Sequence, residues 1–158
     1  MAEEMVHIKQ DWNITYDHTA GETASRFFVE LRDHAKLLGK KCPSCRRVLV
    51  PPRSFCDRCY VETTDWVPIG NAGVIETFTI VANQFAGLPE PPYALAYVRL
   101  EGADTAIANE LKGVDLSDPD KAAVEMKIGT PVTTKYKEQR QGRVSDFWFE
   151  LAQPEEGK

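Results

Sequence analysis

A mainly β fold, a small Greek-key barrel entered through one helix and a cysteine-rich segment, is what this sequence predicts. Three observations carry the prediction. All four cysteines of the chain fall between positions 42 and 59. From Thr64 onward, apolar and β-branched residues come in short runs bounded by Gly, Pro, Asn and Asp, as strands do. Ahead of the cysteines, one segment repeats its apolar residues at helical spacing. The bulk numbers agree with a globular chain: 158 residues, 42% hydrophobic and 27% charged, the size of one ordinary domain or one small domain with an appendage. No apolar run approaches the ~20 residues of a membrane span. The start, "MAEEMVHIKQDW", is acidic and mixed, unlike a signal peptide. A cytoplasmic location with reduced thiols is therefore expected, and no membrane partner.

The elements follow in order. Residues 1–18 show no clear periodicity and are read as an extended arm carrying two aromatic anchors, Trp12 and Tyr16. Thr19 and Glu22 have the spacing of a capping box. Behind them Ala24, Phe27, Phe28, Leu31, Ala35 and Leu38 share one helical face, which predicts a helix of about 16 residues ending near Gly39. Arg26, Glu30, Arg32, Asp33 and Lys36 form its solvated face. After the cysteines, "DWVPIG", "GVIETFTIVA", "YALAYVRLEG", "TAIANELKG", "GTPVTTKYKEQ" and "SDFWFELA" read as strands. "SDPDKAAVEM" reads as a short helix with Ser117 or Asp118 as its cap and Pro119 just inside. Five or six strands with one helix before the penultimate strand suit a barrel of the OB type. The expected division is an arm and helix over 1–38, a cysteine ribbon over 39–63, the barrel over 64–152 and a flexible tail over 153–158.

The cysteines form two pairs, Cys42-x-x-Cys45 and Cys56-x-x-Cys59, separated by ten residues. Each CxxC turn aims two sulfurs at one point, and a short hairpin, "RRVLVPPRSF", can bring the second pair to face the first. Four thiolates then close a tetrahedral shell, with zinc as the expected ion and a rubredoxin-like iron as the chemical alternative. Four sulfurs leave no open coordination position, so the metal is read as structural. Residues 39–60 carry a net charge of +5 within a chain of −5, and these bases lower the cost of gathering anionic sulfurs.

Catalytic groups are hard to find. The cysteines are committed, and the three histidines, His7, His18 and His34, all precede the ribbon. No phosphate-cradling glycine loop or dinucleotide fingerprint is present. Two positive features remain. "NQFAGLPEPPY" concentrates aromatics and prolines, which offers Phe85, Pro91 and Tyr93 as substrate- or partner-facing residues. "KYKEQRQGR" offers Arg140 and Arg143 as phosphate-holding or partner-facing cations, or as a solvated strand end. A nucleic-acid-binding OB protein is the competing reading, but residues 61–158 carry a net −7, which opposes a basic groove.

Longer motifs then resemble a known family. "FFVELRDHAKLLGKKCPSCRRVLVPPRSFCDRC" is similar to a helix, knuckle, "PPR" strand and second knuckle. "W-x-P-I-G-x-x-G-x-I-x-x-F-T-I-V" from Trp66 to Val81, "FAGLPEPPYALAYVRLEG" and "IGTPVTTKY" are similar to the barrel strands that follow. The family comprises small acyl-CoA-associated proteins with an N-terminal helix, a rubredoxin-like zinc ribbon and an OB-fold. The resemblance spans about residues 22–150; the arm and "KGVDLSDPDKAAVEMK" match less well. It implies a non-catalytic subunit that docks on a thiolase-fold large subunit in a hetero-oligomer. There it helps to enclose a coenzyme A thioester shared with that partner. Among reactions it implies, thiolysis of 2-benzoylsuccinyl-CoA in aromatic-compound breakdown comes first. A sterol side-chain aldolase and an acetoacetyl-CoA- or acylphloroglucinol-forming complex are the alternatives.

Overall fold

A computed structural model describes residues 5–152; the tail expected to be flexible, 153–158, lies outside the described residues. Helix α1 spans Gly21–His34 and buries Phe27 and Leu31. It is shorter than the 16 residues expected, and both ends differ for physical reasons. The chain enters through Gly21 at φ +76°, a left-handed reversal that glycine adopts freely. Thr19 is thereby set back: its Oγ1 accepts from Gly21 N at 3.2 Å, and no side chain caps the helix. At the other end Ala35 turns left-handed, and its N–H closes on Leu31 O. Leu38 and Gly39 therefore belong to the next strand. Gly39 is a packing residue rather than a helix stop, since a Cβ there would lie 2.6 Å from Val48 Cγ1.

Three short strands follow: β1 (Leu38–Lys41), β2 (Val48–Leu49) and β3 (Asp65–Pro68), in the order β2-β1-β3. The "DWVPIG" strand thus pairs with β1, Lys40 opposite Trp66, instead of opening the barrel. The barrel itself comprises β4 (Ala72–Val81), β5 (Tyr93–Leu100), β6 (Ile107–Lys112), β7 (Pro131–Tyr136) and β8 (Phe147–Leu151), closed in the order β4-β5-β6-β8-β7. Helix α2 (Pro119–Glu125) lies between β6 and β7, capped by Asp118, whose side chain accepts from Lys121 N. Five strands with a helix before the penultimate one is the expected OB barrel, and closure leaves it no open edge. Ala94, Ala96, Val98 and Leu100 of β5 point inward, against Ile75, Val132 and Phe149.

Ribbon and barrel are locked by hydrogen bonds to the main chain of Val48 and Val50. Val48 N donates to Asp104 Oδ2 at 2.8 Å, while Val50 N donates to Thr105 Oγ1 at 2.7 Å. Thr105 Oγ1 returns a bond to Val50 O, and Asp104 N donates to Val48 O. The β5–β6 turn therefore satisfies the outer edge of β2, which would otherwise be an unpaired strand edge.

A buried carboxylate shapes the approach to β8. Asp146 accepts from Gln141 N and Arg143 N, each at 2.8 Å. Burial pushes its pKa up, but these N–H groups and the Lys137 charge hold it below the ordinary carboxylate range. Replacing it with the neutral, near-isosteric asparagine (Asp146→Asn) should cost about 2 kcal/mol at pH 7. A depressed carboxyl contributes fully above its unfolded value near ~3.9 and loses that contribution as pH falls through the lower folded value. The gap between wild type and Asp146→Asn in urea unfolding should therefore close below about pH 4. An unchanged gap across that window would show that charge is not what Asp146 supplies.

Candidate metal centre and apolar clefts

The two cysteine turns are built alike. Cys42 N donates to Arg47 O and Cys42 O accepts from Arg46 N; Cys56 N donates to Val61 O and Cys56 O accepts from Tyr60 N. Arg46 (φ 63°) and Tyr60 (φ 54°) take the same left-handed step at equivalent positions. Each turn so folded presents one buried and one half-buried sulfur: Cys42 with Cys45, and Cys56 with Cys59. All four Sγ atoms lie within 4.8 Å of one another. Cys45 Sγ and Cys56 Sγ are 3.8 Å apart. Sulfurs at ~2.3 Å from a central ion in a tetrahedron are separated by about 3.8 Å, so the donor set fits zinc. Burial pushes the Cys42 thiol up, but N–H groups of Cys45 and Ser44 outweigh it and bring it down to about 7. Cys45 accepts from the Arg47 N–H, which lowers it; burial and the three neighbouring thiols override this and push it up to about 11. A bound divalent cation would favour the thiolate form of all four sulfurs. Of the surrounding bases, Arg47 and Arg53 are tied to Asp57, at 3.3 Å and 3.4 Å.

None of the histidines lines a cleft. His34 Nδ1 sits 3.1 Å from Glu30 Oε2 on the outer side of α1, and His7 and His18 are exposed on the arm. What the fold does build is three adjoining apolar clefts on the outside of the barrel. The first, of about 350 Å³, lies between Phe27 and Phe28 of α1, Pro51–Arg53 of the ribbon and Tyr97 of β5. The second, about 300 Å³, continues across Phe78, Leu95 and Tyr97. The third, about 400 Å³, runs from Leu95 to Leu88, Pro89, Tyr93 and Val144. Tyr97 (52% exposed) and Val144 (55%) are the ridges between them.

The sequence-predicted residues distribute unevenly over this surface. Phe85 is exposed in the loop before β5, and Pro91 is half-buried. Tyr93 is not a loop aromatic: it is 7% exposed as the first residue of β5, where the loop residues Leu88 and Pro89 join it in the third cleft. Arg140 is not available to a phosphate. Its Nε donates to Leu31 O and Arg32 O, both at 3.0 Å, and its Nη1 donates to Lys137 O and Glu138 O. It caps the C-terminal end of α1, where a cation is favoured. Arg143 is exposed and directly precedes Val144 of the third cleft. Arg140→Ala should therefore lower stability by about 2 kcal/mol, read by thermal melting, whereas Arg143→Ala should leave it unchanged. Tyr97 and Leu95 escaped the sequence reading. Their signal was present: "YALAYVRL" is apolar on both faces, whereas an antiparallel strand with a solvated face alternates.

Comparison with known proteins places this geometry. The rubredoxin-like zinc ribbon domain of ChsH2 matches residues 30–65, and the C-terminal OB-fold domain of ChsH2 matches residues 66–137. No curated protein matches the chain. Among solved structures, the fold is similar to one described as an Ltp2-ChsH2 (DUF35) aldolase, with 23% identity and a TM-score of 0.62 over 85% of this chain and 98% of that one. It is also similar to a DUF35-family protein of unknown function from Sulfolobus solfataricus, with 22% identity and a TM-score of 0.60 over 84% and 87% of the two chains. Among the described residues, no helix is long and apolar enough to cross a membrane. With ribbon and barrel matched end to end along one chain, this protein belongs to the ChsH2 family of zinc-ribbon OB-fold proteins.

Proposed function

We propose that this chain is the non-catalytic subunit of a thiolase-type acyl-CoA complex. Its zinc is structural, held by Cys42, Cys45, Cys56 and Cys59. Its barrel helps to enclose the channel that holds the coenzyme A thioester against a large catalytic subunit. The observation that carries this reading is a division of labour: every thiol lies in one sulfur cluster, while in the third cleft the Ser145 hydroxyl is not hydrogen-bonded to the neighbouring Glu110 carboxylate, which pairs with Lys112. A surface with apolar walls and no reactive pair can exclude water and fix an acyl group, and those are the contributions a docked lid makes. The reaction we favour is thiolysis, with 2-benzoylsuccinyl-CoA as the first substrate to try. Aldol cleavage is the second reading, favoured by the structural neighbour described as an aldolase.

The complex purified from the native host tests this directly. Its large subunit, identified by mass, should cleave a CoA thioester only at a markedly lower rate when this chain is stripped away, and this chain alone should be inert. Thioester turnover by the isolated chain, or an unchanged rate in the large subunit without it, would end the proposal. Comparing thiolysis of 2-benzoylsuccinyl-CoA with retro-aldol cleavage of a β-hydroxyacyl-CoA separates the two reactions.

A further inference from the structure

The segment ahead of α1 lies outside both matched spans, and its side chains are unexplained by the fold. Taken residue by residue it alternates. Val6, Ile8, Trp12, Ile14 and Tyr16 occupy even positions; His7, Lys9, Asp11, Asn13, Thr15 and Asp17 occupy odd ones. Only Gln10 breaks the apolar set, and with it the segment as a whole loses a clear period. Period 2 over this length specifies an extended strand with one face to bury. The structure gives the face nothing to bury against: Val6, Ile8 and Trp12 are 83%, 80% and 78% exposed, and residues 5–20 pair with no strand. Five large apolar side chains held in water along one face gain by burial against a partner.

The occupant can be chosen by elimination on this molecule. The barrel is closed. The outer edge of β2 is taken by Asp104 and Thr105. The remaining edge, β3, has four residues and ends in Pro68, too short for a strand of about 36 Å. The apolar clefts do not hold the arm either, although its root is near them: Ala24, eight residues past Tyr16, lines the first. A second copy presents the same closed barrel, the same occupied β2 edge and the same four-residue β3, so it offers the arm no longer edge than its own body does. Resting on the proposed function, we infer that the arm, Val6–Tyr16, docks as an added β-strand on an open sheet edge of the large subunit, its even-numbered residues entering apolar pockets there. Such strand addition draws affinity from main-chain bonds and register from alternate side chains. Because only residues 17–20 separate Tyr16 from α1, the sheet edge that takes the arm lies within about 17 Å of the start of α1, the end of the helix whose Ala24 lines the first cleft.

Hydrogen exchange on the free chain and on the complex purified from the host tests this. Amides 6–16 should exchange as an open coil in the free chain and become protected in the complex. The double variant Trp12→Asp/Ile14→Asp should bind the large subunit about a hundredfold more weakly. Since Trp12 and Ile14 are 78% and 63% exposed and lie in no strand of the free chain, the variant must keep the wild-type melting temperature. A complex that forms with the arm still exchanging freely would overturn this inference and leave the proposed function standing. Protection that arises in the chain alone as its concentration is raised would overturn it in favour of a second copy. Absence of any complex with a CoA-thioester enzyme would remove both.

Discussion

Chelating the metal, or replacing Cys56 with serine, is expected to open the two cysteine turns, residues 42–47 and 56–61, while β2 and the barrel keep their strands. The ribbon owns little hydrophobic material. Its β2 has two residues, and its most enclosed side chains include the sulfurs of Cys42 and Cys56 themselves. In isolated zinc-finger peptides the ion contributes ~10–16 kcal/mol. Here the figure is smaller, because Leu37, Val48, Val50 and Ile69 belong to the shared core and the Asp104–Thr105 turn holds β2 in place. A local loss of about 5 kcal/mol or more remains the expectation. That suffices to open both cysteine turns, since the left-handed steps at Arg46 and Tyr60 are disfavoured without a constraint. The barrel should survive because its hydrogen-bonded ring, β4-β5-β6-β8-β7, uses no ribbon residue. Hydrogen exchange with and without chelator measures both halves at once. Amides of the two cysteine turns that stay protected after the metal is removed, or a barrel that melts with them, would refute this account.

How much of this was legible beforehand depended on how local each cause was. The cysteine pairs were readable because a CxxC turn is specified within four residues. Asp118–Pro119 was readable because cap and first turn are adjacent. The strand count followed from alternation and breakers. Distant causes were not readable. Gly39 looks like a helix stop until Val48 is known to lie above it. Arg140 looks like a free cation until α1, more than a hundred residues earlier, is seen to end at its guanidinium. Tyr93 looked like a loop aromatic because the loop that covers it supplies its burial, and no period announces a covering loop. β3 was assigned to the barrel because its own four residues suit either sheet; only the pairing with β1 decides.

Truncating Phe149 or Phe147 to alanine should each remove about 3–5 kcal/mol of stability, the range for a buried aromatic. Phe149 is fully buried in β8, opposite Leu111 of β6 and Thr134 of β7. Phe147 is 1% exposed, and the two rings meet edge to face with centroids 5.9 Å apart. For a chain of this size such a loss moves the melting temperature by roughly 10–15 °C. The two variants should part company in function. Phe149 faces the barrel interior alone, so Phe149→Ala leaves the outer surface as it was and should bind the large subunit normally at any temperature where it is folded. Phe147 also forms part of the wall of both the first and third clefts. Its main chain is held by Asn109 Nδ2, 2.9 Å from Phe147 O, so the substitution removes the ring without moving the strand. The two clefts then merge, and affinity for the large subunit or its acyl-CoA should fall beyond what instability explains. Titrating both variants against the large subunit, at a temperature where each is shown to be folded, reads the difference. Equal affinities for Phe147→Ala and Phe149→Ala would show that the clefts are packing flaws rather than a working surface.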